Sequence, residues 1–165
     1  MTRDQKGDPR FHPVPLWQRM RSMSSFVSLL RRSVTTRRGA RSLILLLLGA
    51  LLLLGSSYIH FHLWDAEGYR HIPTIGWLFL LQWISGILIA LALVSVRELW
   101  IALVATGFVA STLVGFLLSV TQGLFGFQDS WLAPYAKSAF VLEIAALVVL
   151  LLASIVIFLD GRTAN

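Results

Sequence analysis

The sequence predicts an all-α fold, a polytopic four-transmembrane-helix bundle preceded by a basic, partly amphipathic N-terminal cytoplasmic segment. Three observations carry this. Apolar residues fall in four long blocks, about 43–63, 72–96, 99–121 and 136–159, each near the roughly 20 residues that cross a bilayer core as a helix. Hydrophobic residues make up 56% and charged residues 13% of the 165, whereas a soluble domain carries about 25% charged residues. The first 42 residues hold ten Arg or Lys against two Asp, and short basic flanks of this kind stay on the cytoplasmic face.

The first block opens with LILLLLGALLLLGSSYI, Leu43 to Ile59, without a charge. Its apolar run is longer than the core of a signal peptide, and the region before it is far longer than a signal's basic start. An uncleaved first helix is therefore expected. After it comes the polar connection DAEGYRH, and Pro73 falls where a helix start tolerates proline. Gln82 is the strongly polar residue inside the second block, and Arg97 and Glu98 make a tight turn to the third. The connection QGLFGFQDSWLAP leads to the fourth block, which contains Glu143; its alternating Gly and Phe would permit a dip into the membrane. The polar C-terminus covers 160–165.

Four crossings put both termini on one side. With the tail inside, the expected location is the cell membrane, multi-pass, with N- and C-termini cytoplasmic, Arg97 inside, and Arg70 and Lys137 outside. Trp64, Trp77, Trp131 and Tyr135 then fall near the outer boundary and Trp100 near the inner one, where amphipathic rings settle. The tail, 1–42, starts with Pro9, Pro13 and Pro15 among polar residues. From 16 to 32, Leu16, Met20, Met23, Val27 and Leu30 share one helical face, which fits either a basic, partly helical flank that only sets topology or an interfacial helix that docks on a partner or on anionic lipid. Membrane lipid, and anionic lipid at this basic stretch, are the expected partners. No nucleic acid is expected, because no zinc-finger spacing or aromatic-basic module accompanies the charge.

Cysteine is absent, which removes thiol redox chemistry and disulfides. No phosphate-binding glycine pattern, serine elbow or converging carboxylate pair is visible, so no catalytic residue is assigned, the sequence leaves open whether the chain is an enzyme, and no cofactor is expected. Four small residues, Gly107, Ser111, Gly115 and Ser119, recur every four positions in the third block and predict a helix-packing seam. Glu143 stands out more. A carboxylate about 10 Å below the boundary, at about 1.5 Å per residue, costs several kcal/mol unless protonated, paired or hydrated. With the topology above, Gln82, His60 and His71 fall in the same outer half, giving four candidates for ligand or proton handling. His60, His71 and Glu143 are also weak candidate metal ligands; His60 and His62 face opposite ways on a continuous helix.

These features favour a small integral membrane protein acting as a non-catalytic subunit or scaffold, assembled by helix packing with other membrane subunits or copies of itself. Two alternatives are an oligomeric proton, ion or small-solute transporter using Glu143 and Gln82, and a redox or metal-binding protein with an outer-facing His/Glu site.

Overall fold

The computed structural model describes residues 37–162. The chain divides into two units after Gly39, and the account below concerns the second. The expected interfacial helix at 16–32 and most of the basic tail lie outside the described residues, as do residues 163–165.

Four long helices form the described chain: α1 (Arg37–Asp65), α2 (Ile75–Val96), α3 (Leu99–Thr121) and α4 (Ala136–Arg162). All four are long and apolar enough to cross a membrane, and no strand occurs among the described residues. The helices form because each apolar run satisfies its own backbone internally, the only helical solution where lipid offers no hydrogen bonds. α3 has the expected bounds, while α1 and α4 run further into their polar flanks. α2 starts at Ile75, so Pro73 precedes the helix instead of opening it. A 3₁₀ turn, Tyr69–His71, uses residues before it, and Thr74 takes a positive φ of 66° that redirects the chain into α2.

Two ends of the bundle differ. At one, Arg97 in the left-handed region (φ 56°) joins α2 to α3 directly; this is the turn end. At the other, the loops 66–74 and 122–135 give the loop end. The second loop folds into a hairpin turn in which Leu124 and Phe127 exchange backbone hydrogen bonds of 2.6 and 2.9 Å, and Asp129 N–H donates to the Ser119 carbonyl at 3.0 Å.

The interior is layered. Toward the turn end, Leu46, Leu53, Leu93, Val109 and Leu150 form an apolar cluster with buried alanines from α3 and α4. Toward the loop end, Ile59, Leu63, Tyr69, Ile75 and Ala139 form a second. Between them lies a layer of buried polar side chains, Ser56 and Ser57 of α1, Gln82 of α2 and Glu143 of α4.

Close approach is managed by residues other than the Gly107–Ser119 ridge. A Cβ on Gly49 would lie 2.7 Å from Leu150 Cδ2, and one on Gly86 would collide with Ser57 Oγ. α3 packs against α4 and α2, and its buried face carries Ala102, Ala105 and Val109. Gly107 lies two residues from both Ala105 and Val109, about 200° around the helix, and is exposed. A four-residue step advances about 40° around an α-helix, so the ridge winds instead of running straight: Gly107 and Ser111 are exposed, Gly115 half-buried, Ser119 buried. Within the chain it is not a seam, since a Cβ at Gly107 or Gly115 would meet nothing within 4 Å.

The contrast is testable by unfolding in mild detergent. Gly86→Ala should lower stability by about 1–3 kcal/mol through overpacking, while Gly107→Ala should leave the midpoint unchanged in the monomer. Equal effects would contradict this packing.

Candidate functional site

Each polar residue of the middle layer reaches it by helical arithmetic. Glu143 is seven residues inside α4 and Gln82 seven inside α2, both about 10 Å from the loop end; Ser56 and Thr112 are nine residues from theirs, about 13 Å. A residue type that lipid tolerates poorly therefore appears on every helix at nearly one depth.

Glu143 is 3% exposed. Ser56 Oγ donates to its Oε1 at 3.1 Å across α1 and α4, and Thr112 of α3 faces the same carboxylate. His60, one turn beyond Ser56, places Nε2 3.9 Å from Oε1 and packs its ring against Phe79 of α2, centroids 5.0 Å apart. Its Nδ1 lies 2.9 Å from the Ser56 carbonyl. A carbonyl only accepts, so Nδ1 carries the proton in that bond. Side chains of α1 and α3 thus converge on the α4 carboxylate, and α2 joins the cluster through Phe79 on the His60 ring.

Glu143, Gln82 and His60 share the lining of one cavity of about 500 Å³, within the usual range of about 300–1,000 Å³ for small-molecule sites. Its back wall is α1 and α4, with His60, Leu63, Ala139 and Glu143; its flanks are Leu78, Phe79 and Ser85 of α2 and Ser111, Gly115 and Phe116 of α3. The rim residues Leu78, Leu81 and Ser111 are exposed whereas Leu63, Ala139 and Glu143 of the back wall are buried and His60 is half-buried, so the opening lies between α2 and α3. Tyr69, Phe127 and Asp129 roof it at the loop end. Gln82 is 8% exposed, and its amide makes no hydrogen bond among the described residues.

Three of the four sequence-predicted candidates therefore meet, and the fourth does not. His71 is exposed in the 3₁₀ turn, its Nε2 accepting from Arg70 Nε at 3.1 Å, and it does not line the cavity. The turn carries it to the surface while His60 faces inward. Among the described residues no set of three His, Asp or Glu is arranged to hold a metal ion. The small-residue ridge contributes Ser111, Gly115 and Ser119 to the cavity wall. Sequence reasoning missed Ser56 as the partner of Glu143, 87 residues away, although two serines within a leucine run were a visible signal. It also missed Thr112, and the aromatic wall of Phe79, Phe108 and Phe116.

At the roof, Tyr69 Oη donates to Asp129 Oδ1 at 3.4 Å. Burial first, then the Asp129 charge and hydrogen bond, then Glu67, push the Tyr69 phenol from 10.0 up to about 12. No family model matches the chain, and neither a curated protein nor a solved structure matches it.

A phenol raised in the folded state contributes stability that is complete below its unfolded value and is lost as pH rises through about 12. In an alkaline absorbance titration of the folded protein, Tyr69→Phe should remove a phenolate step near pH 12. A titration curve unchanged by that substitution would contradict the roof contact.

Proposed function

We propose that the chain is a small, non-catalytic integral membrane subunit that binds an amphiphilic small molecule drawn from the lipid. In this reading it crosses the cell membrane four times with both termini cytoplasmic, so the loop end is extracytoplasmic and the cavity opens sideways into the outer leaflet. The observation that carries it is the cavity itself: a polar layer exposed to a half-open, aromatic-walled space inside a bundle that lipid would otherwise favour filling with leucine. Gln82 lines this space with an amide that makes no hydrogen bond among the described residues, and a ligand supplies its partner.

The apolar cluster at the turn end supports binding over conduction. Leu46, Leu53, Leu93, Val109 and Leu150 close the bundle below Glu143 and Gln82, so a path through a single chain stops at the polar layer. A transporter built on the same two residues would need those side chains to part, or the path to run between copies. Assembly remains the second reading on its own observation. The exposed Gly107 offers a helix outside this chain a close approach, as small residues do in membranes.

Two measurements test the proposal. Because the chain has no cysteine, single cysteines report sidedness cleanly. Gln128→Cys should react with an impermeant maleimide on intact cells and Glu98→Cys only after permeabilisation; the reverse pattern would overturn the orientation. Gly115 lines the cavity, and an added Cβ meets nothing within 4 Å. Gly115→Phe should therefore fill the space with little loss of thermal stability. Native mass spectrometry of protein extracted in mild detergent should show a small-molecule adduct in the wild type that Gly115→Phe lacks. The same adducts on both would rule out the cavity as its seat.

A further inference from the structure

We infer that the ligand of this cavity is a protonated organic amine, an amphiphile whose N–H donors and positive charge meet Glu143 and its neighbours. The inference rests on the cavity being a binding site, as proposed above, and names the chemistry of its occupant.

The argument begins with where the protons of the lining already go. His60 gives its Nδ1 proton to the Ser56 carbonyl at 2.9 Å, so a neutral imidazole turns the lone pair of Nε2 toward Glu143 Oε1, 3.9 Å away. Ser111, Thr112 and Ser119 donate their hydroxyl protons to the carbonyls of Phe108, Val109 and Phe116 at 2.7, 2.8 and 2.9 Å. The Ser111 and Ser119 hydroxyls thus offer only oxygen lone pairs, while the single Thr112 proton is shared between the Val109 carbonyl and the Glu143 carboxylate it faces. Tyr69 spends its proton on Asp129. Once these bonds are made, the polar lining is an array of acceptors, and the donors remaining in it are the Gln82 amide and the Ser85 hydroxyl. Glu143 Oε1 accepts from Ser56 at 3.1 Å and still faces a second acceptor, His60 Nε2, at 3.9 Å, a pairing that calls for a donor between them. An ammonium, with several N–H groups, can donate to Glu143 and to the facing His60 Nε2 while adding the opposite charge, and the Gln82 amide lines the same cavity.

Charge points the same way. The lining holds the carboxylates of Glu143 and Asp129 and no Lys or Arg. A phosphate or carboxylate headgroup would meet like charge there, whereas a cation meets opposite charge in a setting of low dielectric. The walls add ring faces from Phe79, Phe108, Phe116, Phe127 and Tyr69, which attract a cation placed over them and pack against an aryl or alkyl tail. A bare metal ion fits poorly, since three His, Asp or Glu ligands do not come together among the described residues. Access from lipid between α2 and α3 suits a molecule that partitions into the bilayer with its amine near the boundary.

The test compares three probes on the full chain in lipid nanodiscs, with protein-free discs subtracting partition: phenylbutylamine, its trimethylammonium analogue, and phenylbutanol. The amine has charge and N–H donors, the quaternary ion charge alone, the alcohol a donor alone. Calorimetry should rank the amine about tenfold or more above the alcohol, the ratio that one charge-assisted hydrogen bond supplies, with the quaternary ion between. Glu143→Gln should erase the preference for the amine without weakening the alcohol, and Glu98→Gln, at the turn end, should change nothing. If Glu143→Gln does not fold, Asp129→Asn at the roof should lower amine affinity several-fold and spare the alcohol. An alcohol binding as tightly as the amine would overturn the inference while leaving the cavity a binding site. A quaternary ion equal to the amine would overturn the donor argument and leave ring faces and charge as the basis of binding. Binding of no probe to the wild type, or equal binding to Gly115→Phe, would overturn the cavity reading together with the inference.

Discussion

The bond from Ser56 to Glu143 is the contact on which the arrangement of the bundle depends. A carboxylate that deep in lipid is tolerated only when other groups satisfy it, and at 3% exposure Glu143 must find those groups on neighbouring helices. Ser56 supplies one from α1, His60 stands beside it, and Thr112 faces it from α3. That requirement sets the rotation of α1, because Ser56 and His60 share a face at a four-residue spacing. It also sets the depth of the polar layer, with an apolar cluster on either side. In lipid, leucine gains little by leaving the membrane for the bundle, so polar contacts and close backbone approach hold helices together. Gly86 under Ser57 and Gly49 against Leu150 supply that approach.

The cavity follows from an asymmetry of connection. α2 and α3 are joined with almost no linker at Arg97 and Glu98, which holds their turn-end halves together. At the loop end each is tied to a different partner. The 3₁₀ turn packs against α2, with the Gly76 Cα so close to the Arg70 backbone that a Cβ would lie 2.8 Å from its carbonyl oxygen. α3 instead follows α4 through a face of small residues. Two helices held at one end and drawn to different neighbours at the other leave a gap between them, and the polar layer opens into that gap.

Much of the architecture was legible because lipid imposes so few options. Apolar run lengths located four helices, and the bounds of α3 agreed residue for residue. Glu143, Gln82 and His60 were legible as a group because polar side chains are rare inside the apolar runs and all three fall in the same half of them. Which faces pack was not legible. α2, α3 and α4 are apolar around their whole circumference, so no amphipathic stripe separates lipid-facing leucine from buried leucine. Whether the Gly107–Ser119 ridge packs within the chain or against another was equally illegible: inside the chain it meets nothing at Gly107 or Gly115, and the buried face of α3 carries Ala102, Ala105 and Val109. Alanine hardly stands out in such a sequence. Whether His71 joins the others was not legible, because a turn's direction depends on local dihedrals such as the positive φ of Gly68 and Thr74, which hydrophobic pattern does not encode.

The roof over the cavity has an unusual mooring. Within its loop, Phe125 and Leu132 are largely exposed, while Trp131 packs edge-on against Phe116 and Phe140. In a membrane those greasy tips would seek the headgroup boundary, whereas the walls beneath are set by helix length. Bilayer thickness then becomes a mechanical input: a thinner membrane draws the boundary toward the polar layer, and a thicker one lifts it away. The headroom above Glu143 is thereby coupled to the lipid composition around the protein.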